Sequence, residues 1–190
     1  GQGYEDMWGL KKIEAHRAWT DSQGEGIVVA VIDTGVDYTH PDLAANMWVN
    51  PGEIPDNNID DDGNGYRDDV RGWNFVDANN NSLDKNGHGT HCAGTIAAEG
   101  HNARGGIGVA PKAKIMAVKG LDDYGRGTTV SLANSIKYAA DNGAKVLNNS
   151  WAFDSRIPSE PVTESAISYA RSRGCVVVFA AGNNNDDAAY

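Results

Sequence analysis

The sequence predicts an α/β protein of three layers, with a mainly parallel central sheet covered by helices on both faces. Three observations carry this reading. Four short runs are apolar and rich in β-branched residues, the pattern of strands buried on both sides. Stretches with helical spacing lie between them. The chain's 23 glycines gather where such runs meet, as ordered strand-to-helix turns require.

Gly26-Ile27-Val28-Val29-Ala30-Val31-Ile32 is the first strand. A helix follows Gly89, with Cys92, Ala93, Ile96 and Ala97 inward and Gly100 as its C-terminal stop. Lys114-Ile115-Met116-Ala117-Val118 is the second strand. Leu132, Ile136, Ala139 and Ala140 form the stripe of the next helix, closed by Asp141-Asn142-Gly143. Lys145-Val146-Leu147 is the third strand. The last helix opens at Pro161, turns Val162, Ala166, Ile167 and Ala170 to the core, and stops at Gly174. Cys175-Val176-Val177-Val178-Phe179-Ala180 is the fourth strand. Right-handed crossovers make such strands parallel, and ligands then sit at their carboxyl ends. Asp33, Ser150 and Asn183 each follow a strand, so the topology brings them to one edge. The irregular stretch 50–86 is rich in Asp, Asn and Gly, and a loop of that length in a compact domain is usually functional or ion-stabilised.

At 190 residues the chain is long enough for one domain with a substantial core. A net charge of −10 with no Lys/Arg cluster excludes nucleic acid as a partner. No apolar run reaches the roughly 18–20 residues of a membrane span, which excludes an integral membrane role. The acidic surface fits a secreted, cation-binding protein. Gly1-Gln2-Gly3-Tyr4 lacks the regions of a signal peptide, so an exported protein would be present here in processed form. Cys92 and Cys175 have no metal spacing and read as two buried free thiols.

Singly, the chemical motifs are weak. Asp33-Thr34-Gly35 after an apolar strand suits a helix cap or an aspartic protease, but the latter needs a second copy, which the sequence lacks. A metal hydrolase on Asp33 and His88 lacks a third ligand in the sequence pattern. His88 before a glycine and Gly182-Asn183 in a turn are each commonplace. In order they are not. Val31-Ile32-Asp33-Thr34-Gly35-Val36-Asp37, His40-Pro41-Asp42-Leu43, Gly87-His88-Gly89-Thr90-His91-Cys92-Ala93-Gly94-Thr95, Gly108-Val109-Ala110-Pro111 and Ala180-Ala181-Gly182-Asn183 together strongly resemble the subtilisin-like serine proteases, the subtilases. The resemblance runs from about Trp8 to the end, and the cysteine after His91 places it near the thiol-containing branch.

The resemblance implies an endopeptidase with an Asp-His-Ser triad. Asp33 would orient His88 and stabilise its protonated ring, His88 would act as base and then acid, and Asn183 would donate to the oxyanion. His91, on roughly the same helix face, would have a structural hydrogen-bonding role. Leu121–Gly127, with Gly125, Arg126 and Gly127, and the segment Ser150, Trp151 and Ala152 would pair with the backbone of a polypeptide substrate. Trp151-Ala152-Phe153 stands where the family usually has Leu-Gly-Gly, which leaves the depth of the main side-chain pocket open. Arg126 would favour acidic or polar groups along the peptide.

The family's nucleophile sits in Gly-Thr-Ser-Met-Ala, downstream of the asparagine. Gly-Thr occurs here at 89–90, 94–95 and 127–128, never followed by serine. Residues 1–190 are therefore expected to be the N-terminal portion of one catalytic domain, inactive alone, whose partner is a serine-bearing C-terminal fragment. A nick after Tyr190, a truncation, or a half-length relative acting as a calcium-binding interaction module would each account for this. Without the remainder, the edge near Val176–Ala180 should be partly uncovered.

Calcium is the implied cofactor. Asp60-Asp61-Asp62-Gly63-Asn64-Gly65-Tyr66-Arg67-Asp68 follows the first nine places of a calcium loop, with Asp60, Asp62, Asn64, the Tyr66 carbonyl and Asp68 as ligands, but Arg71 stands where a bidentate Glu belongs. A second, weaker site is expected at Asp77, Asn79 and Asn81, with Leu83 in place of a polar ligand. A third joins Asp42 and the Asn102 loop to the N-terminal arm at Gln2 or Asp6.

Overall fold

The computed structural model describes residues 7–153 and 160–183. Four parallel strands, β1 (Val28–Asp33), β2 (Lys114–Lys119), β3 (Val146–Asn149) and β4 (Val176–Phe179), form one sheet in the order β2-β1-β3-β4. The register pairs Asp33 with Lys119 at the carboxyl edge. Helices α1 (Trp8–Lys12) and α2 (Ala15–Ala18) precede the sheet, α3 (His88–Ala97) joins β1 to β2, and α4 (Thr129–Asp141) and α5 (Pro161–Ser172) follow.

The period-two alternation of the strands sorts the core into two layers. Ala30, Ile32, Met116, Val118 and Leu147 face α4 and α5, where Leu132, Ile136, Ala139, Ala166 and Ala170 meet them. Val29, Val31, Ile115 and Ala117 face the other way, against Ala93 and Ala97 of α3. The three-layer α/β expectation is met.

The helix ends follow local chemistry. Thr128 caps α4 reciprocally with Ser131, each side chain taking the other's backbone N–H at 3.0 Å. Pro161 occupies the first turn of α5, and the Glu160 carboxylate accepts from Thr163 N. Two expectations fail here. Val162 is 47% exposed, because the buried stripe of α5 is Thr163, Ala166 and Ala170, one residue out of phase with it. Ala98 leaves helical backbone at ψ 137°, so α3 stops before Gly100 is reached.

The long loop is tied down from the inside. Tyr66 packs edge-on against Trp73, Phe75 and Tyr138, and the buried Tyr138 hydroxyl donates to the buried Asp69 carboxylate. Burial raises the Asp69 carboxyl, while hydrogen bonds from Tyr138, Asn50 and Asn64 work against that rise. At the opposite side β4 is the outer strand, with Val176, Val178 and Phe179 at 59, 44 and 39% exposure.

Candidate active site

β1 ends on Asp33, which has no exposed surface. Its Oδ1 accepts from Thr34 N at 2.7 Å and lies 2.8 Å from His88 Nδ1. A carboxylate beside Nδ1 selects the tautomer with the proton on that nitrogen, leaving the lone pair on Nε2. The His88 side chain is 51% exposed, so the reactive side of the ring faces solvent while the carboxylate behind it is dry. Asp33 Oδ2 is buried and has no hydrogen-bond partner among the described residues.

His88 is held there by the start of α3. Asp84 gathers five donors: Thr34 Oγ1, Asn86 N and Gly87 N on Oδ1, Thr90 N and Thr90 Oγ1 on Oδ2, at 2.7–3.0 Å. Burial alone would raise this carboxyl, but the bonds from Thr90, Gly87 and Asn86 outweigh it and hold the group below its ordinary value. Thr34 Oγ1 in turn accepts from Gly89 N at 3.0 Å, stitching helix to strand end. The approach is so close that only glycine fits at 89, since a Cβ there would stand 2.1 Å from the Gly35 carbonyl oxygen.

Cys92 lies one turn along, half-buried rather than buried, while Cys175 is buried and donates to the Ala144 carbonyl. Burial pushes the Cys92 thiol up, Ser150 acts against that, and the Asp33 charge adds to it. The ligand atoms of Asp33, His88 and Cys92 lie within 4.8 Å of one another, so the structure supplies the third ligand that the sequence pattern lacked. A soft divalent ion bound through His88 Nδ1 would have to replace the proton that joins this ring to Asp33. His91 does not share the place: it is exposed on the wall of a cavity of about 600 Å³ with His40, and its ring makes no hydrogen bond among the described residues.

The segments expected to bind substrate sit at the same edge. The loop after β2 is closed by Asp122 N to Arg126 O at 2.7 Å, and Gly125, Arg126 and Gly127 are exposed on it. Arg126 pairs with Asp122 at 3.5 Å and lies over the Tyr124 ring, so its charge is already engaged. Ser150 accepts from Asn148 Nδ2 just beyond β3. Trp151 is buried, with edge contacts to Phe153 and Phe179 and an Nε1 that has no hydrogen-bond partner among the described residues, whereas Ala152 is exposed. Asn183 is exposed a few residues past β4.

The first acidic loop is built differently from the expected pattern. Asp60 and Asp62 come together, but the third carboxylate is the buried Glu53, within the same 4.8 Å. Asp68 is not one of these three, and its two oxygens accept from Asn57 N and Asn58 N. Asn64 bridges Asp62 and Asp69 through its amide nitrogen and accepts from Tyr66 N, while the Tyr66 ring faces the core. Three hard oxygen donors of this kind fit a calcium ion. In the second loop Asp77 and the Asn81 carbonyl both accept from Asn74 Nδ2, and Asn79 Oδ1 accepts from Asn81 N. In the third, buried Asp42 accepts from Asn102 Nδ2 at 2.6 Å and from Gly106 N. Gln2, Asp6 and Tyr190 lie outside the described residues.

Sequence reasoning missed Asp84, Glu53 and Lys119. Asp84 lies three residues before Gly87, the N-cap residue of α3, so no rule for the capping position itself points to it. Glu53 joins its loop from seven residues upstream, where no spacing rule looks.

A model of the subtilase family matches residues 24–190. Thermitase from Thermoactinomyces vulgaris is 41% identical over 182 residues, covering 96% of this chain and 56% of that protein. The thermophilic serine proteinase of Bacillus sp. (strain AK1) is 40% identical over 190 residues, covering all of this chain and 41% of that protein. Among solved structures sphericase is similar, with a TM-score of 0.69 and 35% identity over 86% of this chain and 48% of that one. The chain thus spans about half the length of these relatives. With the strand end, helix entrance and sheet order in place, and with these likenesses, the chain belongs to the subtilase family.

Proposed function

We propose that this chain supplies the acid–base part of a serine endopeptidase, whose nucleophilic serine lies on the remainder of the catalytic domain. The observation that carries the reading is the 2.8 Å contact from His88 Nδ1 to fully buried Asp33. His88 Nε2 takes the proton from the incoming serine hydroxyl, and the ring becomes positive beside the Asp33 carboxylate. The same ring then gives the proton to the leaving amine. Asn183 donates to the oxyanion of the tetrahedral intermediate. The exposed segment 125–127 and residues 150–152 pair with the substrate backbone. The engaged Arg126 contributes little to selecting acidic side chains.

The serine-bearing remainder is the partner we assign to β4, whose apolar residues are exposed along an outer strand. Serine-directed fluorophosphonate labelling tests the division of labour. The 190-residue chain alone should remain unlabelled, and the protease with its remainder should label and cleave peptides. Asp33→Asn in that protease should lower kcat by about 10⁴-fold, because the ring then takes the wrong tautomer. Labelling of a serine within residues 1–190 would overturn the assignment.

Calcium is the ion we assign to the Glu53, Asp60 and Asp62 cluster and to Asp42 with the Asn102 loop. When bound it would neutralise these oxygens and stabilise the loops by favouring only the folded form. Weak extracellular-type sites fill at about 10⁻⁴–10⁻³ M calcium, which fits a secreted enzyme.

A further inference from the structure

Lys119 ends β2 with 4% of its surface exposed, and the mechanism above does not use it. An ammonium in such a place is costly unless its protons find acceptors. Lys119 Nζ donates to the Thr34 carbonyl at 2.7 Å, one residue beyond the catalytic aspartate, and to Asp123 Oδ1 at 2.8 Å in the substrate loop. The contacts continue. The Asp123 carbonyl accepts from Asn86 Nδ2 at 2.9 Å, and Asn86 Oδ1 accepts from His88 N at 3.2 Å. The contact from His88 to Asp33 closes the circuit. Asp33 O meanwhile accepts from Gly120 N and Leu121 N, so the start of the loop after β2 is tied to the end of the strand that carries the acid.

We propose that Lys119 is a positioning residue, which couples the substrate-pairing loop 121–127 to the Asp33–His88 pair through Thr34, Asp123 and Asn86. A peptide laid along Gly125–Gly127 fixes the loop, and the loop then fixes the base against its acid. Binding energy from residues remote from the cleaved bond thereby reaches the chemical step. A mere surface ion pair would contribute little. This one differs because its lysine end is buried and shared with the backbone of the catalytic strand.

The inference rests on the protease reading, and its test separates the two. The protease with its serine-bearing remainder is assayed on a single-residue ester and on a peptide long enough to lie along residues 125–127. Lys119→Met and, independently, the exposed link Asn86→Ala are compared with the parent enzyme. Each variant should lose about tenfold more activity on the long peptide than on the ester, chiefly in kcat. Asn86→Ala keeps the core intact, so the result survives if Lys119→Met folds poorly. Equal losses on both substrates, or no loss on either, would overturn the coupling. A parent enzyme that hydrolyses neither substrate refutes the protease reading and this inference with it.

Discussion

Asp84→Asn is the sharpest probe of how the helix entrance is held. The carboxylate takes three donors on Oδ1 and two on Oδ2. An asparagine keeps one oxygen and can still serve Thr34 Oγ1, Asn86 N and Gly87 N. Its amide nitrogen must then face the Thr90 backbone N–H, which cannot turn away, although the Thr90 hydroxyl can. One partly buried donor left unpaired costs about 1–3 kcal/mol. Losing a negative charge at the positive end of α3 adds about 0.3–1 kcal/mol. The expected loss is therefore roughly 1–4 kcal/mol. Denaturant unfolding at pH 7 in calcium measures it. The pH dependence gives a second check. Because Asp84 is held below its ordinary value, its contribution is complete above the unfolded-state pKa of about 4. It is lost as pH falls through the folded-state value, so the gap between parent and variant should narrow on acidification. A gap below about 0.5 kcal/mol at pH 7, or one that does not change with pH, refutes the reasoning.

Gly89→Ala places a Cβ 2.1 Å from the Gly35 carbonyl, so α3 must back away from β1, with a stability loss of about 1–3 kcal/mol and a longer path from His88 to Asp33, both visible by melting and by the imidazole NMR signal. Glu53→Gln removes one of three clustered carboxylates, and the rise in melting temperature on adding calcium should shrink, whereas Asp68→Asn should alter that calcium response less. Tyr138→Phe takes a donor from buried Asp69 and should cost about 1–3 kcal/mol in denaturant unfolding, detaching the long loop from α4.

What the sequence disclosed follows from the range of the interactions. The strands were legible because Val28–Ile32 and Val176–Phe179 are short apolar runs whose period and length admit few other structures. Helix ends were legible at Pro161 and Asn142-Gly143, where one residue's backbone preference decides. The phase of α5 was not, since Val162 and Thr163 differ little in helical fit, and contacts with the sheet chose between them. Asp33 and His88 were found through motif order. That order could not disclose that Cys92 comes within reach of both, or that Glu53 joins Asp60 and Asp62 in the acidic cluster. Such pairings are fixed by how a loop closes on itself, and local spacing does not encode them.

Two of the unanticipated residues, Asp84 and Lys119, share a feature that bears on how this edge of the sheet works. Asp84 binds the helix entrance to the strand end through Thr34, and Lys119 binds the same Thr34 to the substrate loop. Thr34 thus uses its hydroxyl for one element and its carbonyl for another, while its N–H bonds to Asp33. Three elements that approach from different parts of the chain meet on one residue adjacent to the acid. The contact between Asp33 and His88 is thus framed by short bonds converging on Asp33-Thr34.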